Sequence, residues 1–201
     1  MKDIFEKIVN NGHWRANNTV CGNGSTMVYT DYLRKELGPF LERYNIKSMF
    51  DAPCGDYGWM SETKLPDGLH YIGGDIVDSL IEKNRQQHPT VDFRVFDISQ
   101  DEFPEVDLLF CRDCLIHFSQ ADIRRVFENI ARSNIKYVLM SNYPNLNNTD
   151  IQTGGFRGVN FYRAPYEFEP AIDSIEDWIP RFEPRAMCLW SRETIINYLK
   201  K

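Results

Sequence analysis

The sequence predicts an α/β domain, a mostly parallel sheet with helices on both faces, and three observations carry that prediction. Short apolar runs alternate with stretches of helical period from Ser48 to Met140, the pattern of strand, helix and strand in succession. The first of these runs, Ser48 to Ala52, breaks into Pro53, Gly55 and Gly58, which is how a buried strand stops and a tight turn begins. Finally, each run ends on polar residues: Asp51, Asp75, Asp97, Arg112 with Asp113, and Ser141 with Asn142. An open α/β sheet binds its ligand outside the carboxyl ends of the strands, where these residues fall.

Taken in order, the chain begins with a short helix over Lys2 to Val9. A polar stretch follows through His13, Trp14 and Arg15 to Cys21-Gly-Asn-Gly-Ser-Thr26. So many Gly and Asn residues form no core element, and two readings stand: a loose terminus or, because Trp14 and Arg15 are large residues to leave on one, a lid that folds over the site. Tyr32, Leu33, Leu37, Phe40 and Leu41 have helical spacing within Thr30 to Tyr44, with Gly38-Pro39 expected to kink or split that helix. Strand one is Ser48 to Ala52 and strand two Leu69 to Asp75, after which Asp78 is placed as the cap of a helix ending near His88. Strand three is Val91 to Phe96 and strand four Val106 to Cys111. Ser119 with Asp122 resembles a capping box opening a helix whose Ile123, Val126, Phe127 and Ile130 form one stripe. Strand five is Lys136 to Met140. From Asn145 to Pro184 the pattern is irregular, and a loop of that length in a compact domain is more often functional than idle. A last strand, Ala186 to Trp190, leads into a helix from Arg192 to Leu199.

At 201 residues the chain fits a single domain with a core that needs no disulfide or metal support. A net charge of −6 without any block of Lys or Arg argues against a nucleic-acid partner. No run reaches the roughly 20 apolar residues of a membrane span, and nothing near the start has the form of a signal peptide, so a cytoplasmic protein is expected. The five cysteines are odd in number and scattered. Cys111-Arg-Asp-Cys114 has no second pair to complete a zinc site, so no metal is expected. Two glycosylation sequons, at Asn17 and Asn147, carry no weight without secretion. Oligomeric state is not legible.

The turn after strand one carries the chemistry. A dinucleotide fingerprint requires three glycines so that a pyrophosphate can lie on the next helix. Here Gly55 and Gly58 give only two, and Asp51 and Asp56 add carboxylates that suit a cationic ligand instead. Asp75 lies 20 residues beyond Gly55, where a carboxylate on the neighbouring strand can accept both hydroxyls of a ribose. The stretch Asp51-Ala-Pro-Cys-Gly-Asp-Tyr-Gly58 resembles the first motif of class I S-adenosylmethionine (SAM) methyltransferases, with Pro53 in place of its first glycine. Asp97-Ile98 looks like the family's third motif, and Arg112-Asp-Cys-Leu-Ile-His117 like its motif after strand four.

The resemblance covers Ile46 to Pro144 and implies a Rossmann-like, mostly parallel seven-stranded sheet whose last strand pair is antiparallel. It further implies SAM as cofactor, held by Asp51, Pro53, Cys54, Gly55, Gly58, Asp75, Ile76, Asp97, Ile98 and Arg112. The chain divides accordingly into residues 1–45 (lid and helix), 46–144 (cofactor core), 145–185 (acceptor insertion) and 186–201 (last strand and helix). The combination of Asp-Ala-Pro-Cys-Gly-Asp with Cys-Arg-Asp-Cys-Leu-x-His also resembles methyltransferase-like proteins of bacterial surface-polysaccharide gene clusters. That implies O-methylation of a sugar or related small metabolite. A hydroxyl must lose a proton as the methyl arrives, which makes His117 the candidate general base, with Asp113 beside it. His13, Trp14, Arg15, Tyr143, Arg157, Asn160, Tyr162 and Arg163 are the candidates for binding the acceptor. Two rival readings are a nicotinamide-dependent oxidoreductase, which lacks its third glycine and its Tyr-x-x-x-Lys pair, and a non-catalytic SAM-binding protein.

Overall fold

The computed structural model describes residues 1–16 and 19–201; the sequon at Asn17 lies outside them, as does Asn18. Seven strands form one sheet: β1 (Ser48–Asp51), β2 (His70–Asp75), β3 (Asp92–Val95), β4 (Leu108–Cys111), β5 (Tyr137–Asn142), β6 (Asp173–Glu176) and β7 (Ala186–Ser191). Their order is β3-β2-β1-β4-β5-β7-β6. All pairs are parallel except those made by β7, which runs antiparallel to both β5 and β6. The helices are α1 (Lys2–Asn10), α2 (Asp31–Arg43), α3 (Asp78–Gln87), α4 (Gln120–Arg132) and α5 (Arg192–Leu199).

The strands are apolar on both sides because both faces of the sheet are covered, as a parallel sheet requires. Successive residues alternate between two cores. Phe50, Leu109 and Val138 meet Ile123, Val126, Phe127 and Ile130 of α4 and Ile195 of α5 on one face. Met49, Leu108, Phe110 and Leu139 meet Leu33, Leu37, Phe40 and Leu41 of α2 on the other. The Ser119 hydroxyl accepts the Asp122 amide at 3.1 Å and starts α4, while Ser191 accepts Thr194 N–H at 3.3 Å and starts α5.

Three expectations about elements are corrected. The helix α2 is not split at Gly38-Pro39 but runs unbroken from Asp31 to Arg43, and Gly38 is where its backbone meets the carbonyl of Lys64. Val77, not Asp78, is the residue that flanks α3; Asp78 is already helical and its carboxylate binds Lys2 Nζ at 2.7 Å. The stretch before Pro184 contains β6, whose single inward apolar residue, Ile175, gave no alternation to read. No helix among the described residues is long and apolar enough to cross a membrane.

Candidate functional site

Sheet order reverses between β1 and β4, and there the strand ends line a cavity of about 720 Å³. Its floor is the turn after β1. Gly55 has φ of +56°, a backbone conformation that disfavours any side chain, and a Cβ there would lie 2.8 Å from Cys21 Sγ. The turn is strapped to β2: Cys54 N–H donates to Gly74 O (2.8 Å) and Gly55 N–H to Asp75 Oδ2 (3.1 Å), while Val77 N–H donates to Asp75 Oδ1 (2.9 Å). Asn84 Nδ2 of α3 donates to the Gly55 carbonyl at 2.8 Å.

Asp51 accepts the Tyr71 hydroxyl at 2.7 Å. Both Asp51 and Asp75 are buried, and burial pushes their carboxyls up, Asp51 to about 7 and Asp75 to about 6, against the hydrogen bonds that pull them down. Asp97 sits half-buried at the end of β3, where its carboxylate closes a turn by accepting Ser99 N–H (2.9 Å) and the Gln100 amide (2.8 Å). Pro53, Cys54, Ile76, Ile98 and Arg112 line the same cavity; Gly58 does not, and its N–H donates to Asp56 Oδ1 at 3.3 Å instead.

The turn after β4 supplies the next wall. Asp113, with φ of +53°, donates its N–H to Ser141 Oγ at 2.9 Å. Its carboxylate lies 2.6 Å from Arg185 Nη1 and 3.5 Å from Arg112 Nη1. Burial works against its charge, but Arg185 and Arg112 prevail and hold the carboxyl below the ordinary range. Asp113 is therefore ionised and committed to the two guanidiniums. His117 stands four residues on, in a single 3₁₀ turn, stacked on the Trp14 ring at 4.3 Å with Nδ1 2.8 Å from the Gly155 carbonyl. A carbonyl only accepts, so Nδ1 carries the proton and Nε2 is the free lone pair. Burial lowers the pKa of His117 below its usual value, despite the opposing pull of the Gly155 carbonyl and Asp113. At neutral pH the ring is uncharged.

The N-terminal segment closes the cavity from above. Asp56 Oδ2 accepts the Thr19 hydroxyl (2.6 Å) and the Val20 amide (3.1 Å), and the Gly24 carbonyl accepts Arg112 Nη2 (2.7 Å). A Cβ on Gly24 would lie 2.9 Å from Asp113 Oδ2, so only glycine lets this segment approach the charged turn. His13 and Trp14 line the cavity; Arg15 does not.

Besides Arg15, four of the acceptor candidates lie elsewhere. Arg157 is buried and donates to three carbonyls, Thr149 (3.1 Å), Leu115 (2.7 Å) and Phe118 (2.7 Å), so it braces the turn that carries His117. Asn160 is buried and donates to the Pro144 and Leu146 carbonyls. The Tyr162 hydroxyl meets Cys188 Sγ at 3.8 Å, and Arg163 is exposed beside Asn147. Tyr143, in contrast, lines the cavity, its hydroxyl accepting Arg185 Nη1 at 2.9 Å. Sequence reasoning missed Arg185, Asp177 and Tyr29. Asp177 follows β6, and Arg185 precedes the one antiparallel strand, whose start therefore lies at the edge where the parallel strands end; locating β6 and reversing β7 would have found both.

Residues 50–134 match the profile of a methyltransferase domain. That match supports a SAM-dependent methyltransferase. A search of curated proteins found no significant match. Among solved structures, magnesium protoporphyrin IX methyltransferase from Synechocystis PCC 6803 with bound S-adenosylhomocysteine is 13% identical. The match covers 95% of this chain and 97% of that one, with a TM-score of 0.64. The N-methyltransferase NodS from Bradyrhizobium japonicum WM9, with S-adenosylhomocysteine, is 12% identical over 94% of this chain and 96% of its own, with a TM-score of 0.62. A SAM-dependent methyltransferase from Leishmania major is 13% identical over 93% and 83%, with a TM-score of 0.68. At such identities the likeness is one of fold, which in this chain is a seven-stranded, mostly parallel Rossmann-like sheet.

Proposed function

We propose that this methyltransferase acts on a hydroxyl of a sugar or related small metabolite, as in surface-glycan biosynthesis, with His117 as general base. The observation that carries the reading is the hydrogen bond from His117 Nδ1–H to Gly155 O, which leaves Nε2 as a base on a ring that is neutral at physiological pH. The residues present suit the cofactor by charge: Asp51, Asp56, Asp75 and Asp97 line one end of the cavity and complement an ammonium and a sulfonium. Asp75 would accept from the ribose, Asp97 from the adenine amine, and Ile76 and Ile98 would flank the ring.

When bound, SAM supplies a methyl group on a positively charged sulfur. The protein's part is to hold the acceptor oxygen in line with that carbon and to take its proton on Nε2 as the oxygen–carbon bond forms. Asp113 acts here through position, anchoring Arg185 beside Tyr143. The N-terminal segment, clasped to Asp56 and Arg112, serves as the lid that keeps water out.

The test is release of S-adenosylhomocysteine with hydroxyl and amine acceptors of matched ring structure, with the methylated atom assigned by NMR. Exclusive methylation of nitrogen would falsify the O-methylation reading. Binding of S-adenosylhomocysteine without turnover of any acceptor would favour a non-catalytic role.

A further inference from the structure

At the wall formed by the turn after β4, two arginines and two aspartates close a square, with Asp177 behind the lining residues Arg112, Asp113 and Arg185. Arg112 grips Asp177 with Nε (2.8 Å) and Nη2 (3.0 Å), and Arg185 reaches Asp113 with Nη1 (2.6 Å) and Asp177 with Nη2 (3.1 Å). Asp177 and Arg185 are 1% and 6% exposed. Two positive and two negative charges cancel, so this wall has polarity but no net charge. An anionic acceptor would have to draw a guanidinium away from a buried aspartate. A cationic one would have to draw an aspartate away from a buried guanidinium. Either leaves a buried charge without its partner, which is the costly outcome for such pairs.

The same wall keeps one unused donor, the Tyr143 hydroxyl. Arg185 Nη2, although near Asp177, makes no aligned hydrogen bond; it is buried against the Gly24 backbone and takes no part in facing the acceptor. Because Arg185 Nη1 donates to Tyr143 Oη at 2.9 Å, the hydroxyl's own proton is free for another oxygen. The Tyr29 ring lies against Arg185, 4.7 Å from guanidinium carbon to centroid. Two further rings stand at the cavity mouth: Phe156, 66% exposed, beside His117, and Phe182, 44% exposed, beside Tyr29. Exposed aromatic faces beside a hydrogen-bond donor fit a flat or saturated ring carrying oxygens.

We propose that the acceptor is an uncharged, hydroxylated ring, selected against phosphorylated, carboxylated and aminated analogues by the charge-balanced square of Arg112, Asp113, Asp177 and Arg185. This rests on the O-methylation reading and narrows it. Sugars and phenols share the chemistry, and two series of probes separate them.

Binding is read first, by ligand-observed NMR on the protein saturated with S-adenosylhomocysteine. One series is methyl glucoside with its 6-phosphate, its uronic acid and its 2-amino analogue; the other is catechol, 3,4-dihydroxybenzoate and dopamine. The expected result is that the uncharged member of one series binds at least about tenfold tighter than its charged relatives. Asp113→Asn, which leaves Arg185 in excess, should shift preference toward the anionic member by about tenfold. S-adenosylhomocysteine affinity serves as the check that this variant is folded, and Asp177→Asn is the alternative if it is not. Equal or tighter binding of a charged member to the unaltered protein overturns the proposal, as does failure of every uncharged ring to bind. Product analysis separates the two levels: methylation of oxygen on a preferred charged ring removes this inference alone, whereas methylation only of nitrogen removes the O-methylation reading with it.

Discussion

The Nδ1 of His117 lies 2.8 Å from the carbonyl oxygen of Gly155, which fixes the imidazole as the Nδ1–H tautomer with Nε2 unprotonated. General-base catalysis contributes about 10²–10⁴ in rate. His117→Gln should lower kcat by roughly that factor, with S-adenosylhomocysteine affinity nearly unchanged. Because burial depresses the pKa of His117, the acidic limb of the kcat profile should lie below the ordinary histidine value of about 6.5, and activity should be flat above it. A loss of less than about fivefold would make His117 a packing partner of Trp14 only.

Arg157→Ala should act on stability. Its guanidinium donates to the carbonyls of Thr149, Leu115 and Phe118 from a buried position, and removing it takes these bonds away, leaving Leu115 O only the Phe118 N–H at 3.2 Å. The cost is about 2–4 kcal/mol, or roughly 4–16 °C in Tm for a chain of this size. Thermal denaturation reads it directly. An unaltered Tm with a raised KM for the acceptor would return Arg157 to the binding wall.

The contrast between His117 and Arg157 shows what the sequence could reveal. Asp51, Asp75, Asp97, Arg112, Asp113 and His117 were legible because each follows a strand that announces itself by apolar period, and the parallel topology then puts all strand ends on one edge. Arg157, Asn160, Tyr162 and Arg163 sit where no period exists, so only composition was available. Composition does not say which way a side chain faces. The same gap hid Asp177 and Arg185, whose place depends on β6, a four-residue edge strand with Ile175 as its only buried residue. Gly24 belongs to a stretch whose composition reads only as polar loop, yet its carbonyl receives Arg112 and its missing side chain admits Asp113.

Asp75→Ala should weaken the cofactor and loosen its loop together. Asp75 accepts the backbone N–H groups of Gly55 and Val77, so it holds the turn after β1 as well as facing the cavity. Charge-assisted bonds of roughly 1.5–3 kcal/mol correspond to about 10- to 150-fold in affinity. Calorimetry with S-adenosylhomocysteine should show that loss, and hydrogen exchange should show Gly55 and Val77 amides exchanging faster. An unchanged dissociation constant would place the ribose elsewhere.

Cofactor binding should release protons. With no ligand bound, burial raises Asp51 to about 7 and Asp75 to about 6, well above the value of about 3.9 expected in the unfolded chain. The folded protein therefore holds protons that the unfolded chain has already lost between about pH 4 and 7. By linkage, the contribution of these two groups to stability is fully present below about pH 4 and is lost as pH rises through about 6 to 7. A positively charged ligand reverses the preference, because it binds the ionised carboxylates. Affinity for SAM should rise by roughly tenfold between pH 6 and 8 and then level off. At pH 6.5, titration calorimetry in buffers of different ionisation enthalpy should register a net release of protons, most of which Asp51→Asn removes. Binding without proton exchange at that pH would mean that Asp51 and Asp75 are already ionised before the ligand arrives, held so by Tyr71 and by the amides of Gly55 and Val77.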